Sequence, residues 1–121
     1  MEQLIRNAGK QTPQIFLDGD KGFFSFADKS YPENANDFYN PILEYIELYK
    51  LNPKDKTTIE FNWLYYNTAT SKIIVKIILL LKDISSDFEV RWLCSKDADL
   101  IIEKGQEIKE VLQINLNIIH P

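Results

Sequence analysis

One cysteine, one histidine and four glycines are all that 121 residues contain of three types on which much site chemistry depends. A single thiol, Cys94, cannot close an internal disulfide, which suits a reducing compartment. The lone histidine, His120, is the penultimate residue and reads as mobile, so no His-based proton relay is expected. The glycines form no phosphate-cradling loop. Charge of one sign is also missing. Interspersed, 18 acidic and 14 basic residues leave a net −4, with no basic footprint for nucleic acid or anionic lipid. The longest apolar run, residues 73–81, is broken by Lys76 and is too short to insert across a membrane. The first twelve residues are polar and lack the core of a secretion signal. These absences predict one soluble, cytoplasmic domain with no cofactor, no membrane insertion and no nucleic-acid partner.

What is present alternates between two periodicities. Residues 12–17 and 23–27 read as strands around Asp18-Gly19-Asp20-Lys21-Gly22, a turn of residues that tolerate positive φ. The loop Ser30-Tyr31-Pro32-Glu33-Asn34 follows, and Asn40-Pro41 reads as the cap and first position of a helix, with Asn34 or Asn36 capping a short turn before it. Ile42, Tyr45, Ile46 and Tyr49 recur at helical spacing. Residues 57–66 alternate, with Ile59, Phe61, Trp63 and Tyr65 on one face. Residues 88–94 do the same, which makes Cys94 a core residue before a nucleophile, and Glu60 and Arg91 a cross-strand pair. Asp97 reads as the cap of a helix to about Val111, interrupted by Gly105 at a cost of about 1 kcal/mol. An acidic first turn accounts for Asp97, Asp99 and Glu103 more simply than a cation site does. Alternation from residue 112 to 118 gives a last, edge strand. Strands interleaved with helices require crossovers and a mixed sheet.

Residues 65–81 stand apart. Tyr65-Tyr66-Asn67-Thr68-Ala69-Thr70-Ser71-Lys72 crowds four capping-type residues, Asn67, Thr68, Thr70 and Ser71, where one would suffice. At 100° per residue, Ile74, Ile77, Ile78 and Leu81 gather on a core side, whereas Thr68, Lys72, Lys76 and Leu79 fall toward solvent. Two readings fit. The turn is a well-capped strand-to-helix junction, or its outward hydroxyl accepts phosphate beside free N–H groups that favour an anion. Exposed apolar side chains next to polar ones make the same helix face a docking candidate.

The motif Ser30-Tyr31-Pro32-Glu33-Asn34 with Phe38-Tyr39 and Pro41, the motif Tyr65-Tyr66-Asn67-Thr68 before Ser71-Lys72, and Val90-Arg91-Trp92 with Asp97-Ala98-Asp99 and Glu103-Lys104-Gly105 resemble the SiaC-type bacterial regulatory phosphoproteins. The resemblance covers residues 13–118. It implies an α/β, STAS-like mixed sheet of four to five strands with helices mainly on one face, similar to anti-sigma-factor antagonists. It implies no catalysis, a partner kinase and phosphatase, and an output protein, a diguanylate cyclase in the best-understood systems. It places the phosphoacceptor at Thr68. Ala69-Thr70 stands where paired serines are common, so Thr70 and Ser71 remain competing acceptors; Leu93-Cys94 stands where aromatics are common.

The expected site is therefore Thr68, surrounded by Asn67, Thr70, Ser71 and Lys72, with Tyr31, Pro32, Glu33, Asn34, Lys76 and Leu79 as partner contacts. Two other classes stay open. A small-ligand or protein-binding module would use the open sheet face or a helix groove without phosphate. A small metal enzyme would use the acidic residues near Asp97.

Overall fold

The computed structural model describes residues 1–84 and 86–121. Ser85, which lies with Ser86 between the turn-type residues Asp83 and Asp87, is outside the described residues. Among the described residues six strands, β1 (Leu4–Arg6), β2 (Gln14–Asp18), β3 (Phe23–Ser30), β4 (Lys56–Tyr66), β5 (Asp87–Leu93) and β6 (Leu116–Ile119), form one sheet in sequential order. The first three are antiparallel, and β3 to β6 run parallel. Helices α1 (Ala35–Lys50), α2 (Thr68–Lys82) and α3 (Asp99–Leu112) make the three crossovers. With strands added in sequence, three crossovers of one hand put every helix on the same face.

That face holds the core. Ile59, Phe61 and Trp63 of β4 and Val90 and Trp92 of β5 pack against Ile42 and Ile46 of α1, Ile74, Ile77 and Ile78 of α2, and Ile101 of α3. The other face carries Glu60 and Arg91, paired in register with Arg91 Nε 3.5 Å from Glu60 Oε2. A part-exposed ion pair of this kind contributes at most about 1 kcal/mol. Cys94 is buried, and burial pushes its thiol up, so it stays protonated.

The α/β class and the one-sided helical cover stand, and the strand count rises to six. The added strand, β1, comes from the polar first twelve residues, which carry no strand pattern; its three residues on a sheet edge borrow their order from β2. Helix α1 starts at Ala35, with Asn34 as its cap and Pro41 inside it. Proline removes one bond, to the carbonyl of Asp37 four residues back. Pro41 and Asp37 are both exposed, so water can replace that bond, while Tyr39, Ile42, Ile46 and Tyr49 are held in the core. Helix α3 begins after Ala98 with no side-chain cap, not at Asp97, and runs on to Leu112. The last strand shortens accordingly. His120 is also tied down, its Nδ1–H donating to the Cys94 carbonyl at 2.8 Å.

The clean alternation of β4 breaks near its end. Asp28 pairs with Trp63 but Lys29 with Tyr65, so Leu64 is an extra residue, and Asp28 sits at φ 84°. Such a bulge reverses which side chains face inward beyond it. Tyr66 is therefore buried and Tyr65 half exposed, opposite to the simple pattern.

Gly105 is required by a close approach. A Cβ there would lie 2.7 Å from Trp92 Cδ1 and Nε1. On an open helix face Gly→Ala stabilises by up to about 1 kcal/mol; here Gly105→Ala should destabilise by about 1–3 kcal/mol through overpacking. Thermal or denaturant unfolding checks the sign.

Candidate functional site

The C-terminal ends of β3 and β4 meet the start of α2, and one residue of β3 ties them together. The Ser30 carbonyl accepts the N–H of Asn67 at 3.1 Å and the hydroxyl of Thr70 at 3.1 Å, so both flanks of Thr68 hang from it. Asn67 is the N-cap, its Oδ1 accepting the N–H of Thr70 at 2.9 Å. The Ser71 N–H then closes the first helical bond to Asn67 at 2.9 Å. Between these fixed points Thr68 is the first residue of the helix and is exposed. Among the described residues its hydroxyl has no protein partner.

The competing hydroxyls are placed differently. Thr70 is fully buried, its Oγ1 2.8 Å from Ser30 Oγ, which in turn lies 2.6 Å from the Tyr39 hydroxyl of α1. One donor order satisfies all three: Tyr39 donates to Ser30, Ser30 to Thr70, and Thr70 to the Ser30 carbonyl. A phosphate cannot be attached at Thr70 without opening the core. Ser71 is half-buried and lines a groove of about 280 Å³ between α2 and α3, opposite Lys104 and Ile108. Lys104 Nζ sits 4.3 Å over the Tyr66 ring, a cation–π contact on the floor of that groove.

Burial pushes the hydroxyls of Tyr39 and Tyr66 up to about 12, from an ordinary 10.0; the charge of Glu107 adds to the effect at Tyr66. A raised folded pKa means that the folded chain keeps these protons after the unfolded chain has lost its own. Their contribution is complete below about pH 10 and disappears as pH rises through about 12. Alkaline unfolding should show stability falling across that window, and Tyr39→Phe should flatten part of the slope.

The expected partner contacts divide. Tyr31 lies beside the site, its ring edge-on to Tyr65 at 5.9 Å and its hydroxyl donating to the Lys10 carbonyl at 3.1 Å. Glu33 is exposed, and Asn34 caps α1 while remaining exposed. Pro32 is buried, so its side chain offers no contact surface: its ring packs inward where the loop turns into the helix. Lys72 is exposed one turn after Thr68 on the same side. Leu79 is 48% exposed on the same crest, but eleven residues on, about 16 Å along the axis. Lys76 turns toward the α1 side, where it lines a hollow with Leu43, Glu47 and Leu80. Lys76 and Leu79 thus lie apart from the cluster at the turn.

Pattern reading missed an apolar surface at the end of the sheet from which β4 runs on into Asn67 and Thr68. Leu64 is 67% exposed and Leu100 is 61% exposed, and with Tyr65, Asp97 and Lys104 they line a shallow hollow at the sheet's end. The signal was in the chain as Leu64, an apolar residue at an outward position. The bulge that exposes Tyr65 next to it depends on strand pairing.

Comparison with known proteins fits this geometry. An uncharacterized protein of Pseudomonas aeruginosa (strain UCBPP-PA14) is 24% identical over 104 residues, 84% of this chain and 82% of that protein. The crystal structure of apo-SiaC from P. aeruginosa superposes with a TM-score of 0.87 at 24% identity, covering 98% of each chain. A chain from the crystal structure of the diguanylate cyclase SiaD in complex with its activator SiaC, from the same organism, superposes with a TM-score of 0.90 at 22% identity, covering 98% of this chain and 99% of that one. At such identities the superpositions establish a shared fold. The family model for SiaC family regulatory phosphoproteins matches residues 6–121, and the chain therefore belongs to that family.

Proposed function

We propose that this chain is a cytoplasmic signalling phosphoprotein without catalysis of its own, switched at Thr68 by a protein kinase and a phosphatase. In its unphosphorylated form it binds and activates an output protein. The SiaC–SiaD complex makes a diguanylate cyclase the partner to test first. One observation carries the reading: of the three hydroxyls in residues 68–71, Thr68 alone is exposed, at the start of a helix whose other side is core.

The energetics favour exclusion over refolding. A phosphate adds nearly two negative charges. Against a helix N-terminus with Lys72 nearby, that charge is tolerated, with a favourable dipole contribution of about 0.3–1 kcal/mol. Trapped under a partner on the Leu64, Tyr65 and Leu100 surface, it loses its water without compensation. A penalty of about 3 kcal/mol is already roughly 100-fold in affinity. Co-expression with the host's protein kinases, followed by intact mass and peptide mapping, tests the assignment. Phosphate on Thr68 supports it; phosphate confined to Ser71, or none on the turn, overturns it.

A further inference from the structure

We infer that Thr70 selects Thr68 as the phosphate acceptor, by locking α2 into the one cap register that leaves the Thr68 hydroxyl free. The inference rests on the phosphoacceptor reading above and adds the residue that enforces it. The turn Asn67-Thr68-Ala69-Thr70-Ser71 contains several competent caps. Asparagine, threonine and serine all accept from N–H groups two or three residues on, and a first turn has no helical bonds of its own to hold its N–H groups. If the helix re-capped at Thr68, that hydroxyl would be consumed in capping. The register seen, with Asn67 as cap, is chosen from outside the turn. The buried Thr70 hydroxyl donates to the Ser30 carbonyl at 3.1 Å and accepts from Ser30 Oγ at 2.8 Å. Ser30 Oγ is held in turn by Tyr39 at 2.6 Å. The clamp joins β3, α1 and α2 across forty residues of sequence, and every hydroxyl proton in it has one acceptor.

Thr70→Val keeps shape and burial but removes both hydrogen bonds and leaves Ser30 unsatisfied. A lost buried bond of this kind shifts a local equilibrium about tenfold. If the competent register is depopulated, the apparent affinity for the kinase falls by the same fraction. With the full chain and the kinase that modifies Thr68 in the parent, Thr70→Val should raise KM, by up to about tenfold, at nearly unchanged kcat, and Thr70→Ser should restore the parent KM. Hydrogen exchange at the Thr70 and Ser71 amides, which needs no kinase, should accelerate by a similar factor in Thr70→Val and not in Thr70→Ser. A lowered melting temperature with parental KM and parental amide protection would overturn the selector role and leave Thr70 a packing residue. A parent chain that takes no phosphate at Thr68 defeats the phosphoacceptor reading instead, while the exchange measurement still decides whether Thr70 holds the register.

Discussion

Thr68→Glu is expected to weaken binding to the output partner about 100-fold while melting at or slightly above the parent temperature. The two halves of that expectation have different causes. A carboxylate in the first turn of α2 meets the positive end of the helix dipole, worth about 0.3–1 kcal/mol in favour of the fold. The same charge under a docked partner is stripped of water, and about 3 kcal/mol of lost binding corresponds to roughly 100-fold. Thr68→Ala separates charge from shape: it should bind like the parent and no longer respond to the kinase. Isothermal titration and a thermal melt on each variant suffice. Parental affinity in Thr68→Glu would remove the site from the interface, and a large drop in melting temperature would mean that the side chain supports the fold.

The second large effect concerns the platform beneath the site. Trp92 is fully buried, donates its indole N–H to the Ile101 carbonyl at 2.9 Å, and packs edge-on against Phe61 at 5.6 Å and Tyr66 at 6.3 Å. It is the side chain on which α3 rests at Gly105. Trp92→Ala removes the ring, leaves a cavity and takes away the side-chain hydrogen bond to the Ile101 carbonyl; a loss of about 3–5 kcal/mol is expected, lowering the melting temperature by roughly 10–20 °C. Because Tyr66 leads directly into Asn67 and Thr68, partner binding should weaken as well. Trp92→Phe should cost less, retaining most of the apolar contact and losing the hydrogen bond. A Trp92→Ala chain with parental stability would contradict the packing described for α3.

What could be read in the chain was whatever is decided locally. The stripe Ile74, Ile77, Ile78 and Leu81 follows from helical spacing, and it puts Thr68 outward without any knowledge of the sheet. That the turn holds a cap follows from residue type; which of its four candidates serves, Asn67, does not. The features that escaped are settled between distant segments. The bulge at Leu64 belongs to the pairing of β3 with β4, so no inspection of residues 57–66 could exchange Tyr65 for Tyr66. By residue type Asn40-Pro41 reads as a helix start, because proline is comfortable there; the apolar stripe from Tyr39 to Tyr49 outweighs the one bond it removes. The buried clamp is out of reach in the same way, since Ser30, Tyr39 and Thr70 look like ordinary loop, helix and cap residues until the fold superimposes them. Its consequence is specific: sealing Thr70 leaves fewer exposed hydroxyls at the turn than the residue types offer.

The claim that matters most is that phosphate on Thr68 governs binding while the domain stays folded as it is. The direct measurement is a titration of the output partner with one preparation of the chain, phosphorylated at Thr68 and mapped, then treated with phosphatase and titrated again, with amide spectra recorded in both states. Affinity that drops at least 100-fold on phosphorylation and returns after phosphatase treatment, with spectral changes confined to the turn around Thr68, is the result expected. Equal affinity in the two states, or changes spread through the core, would contradict it.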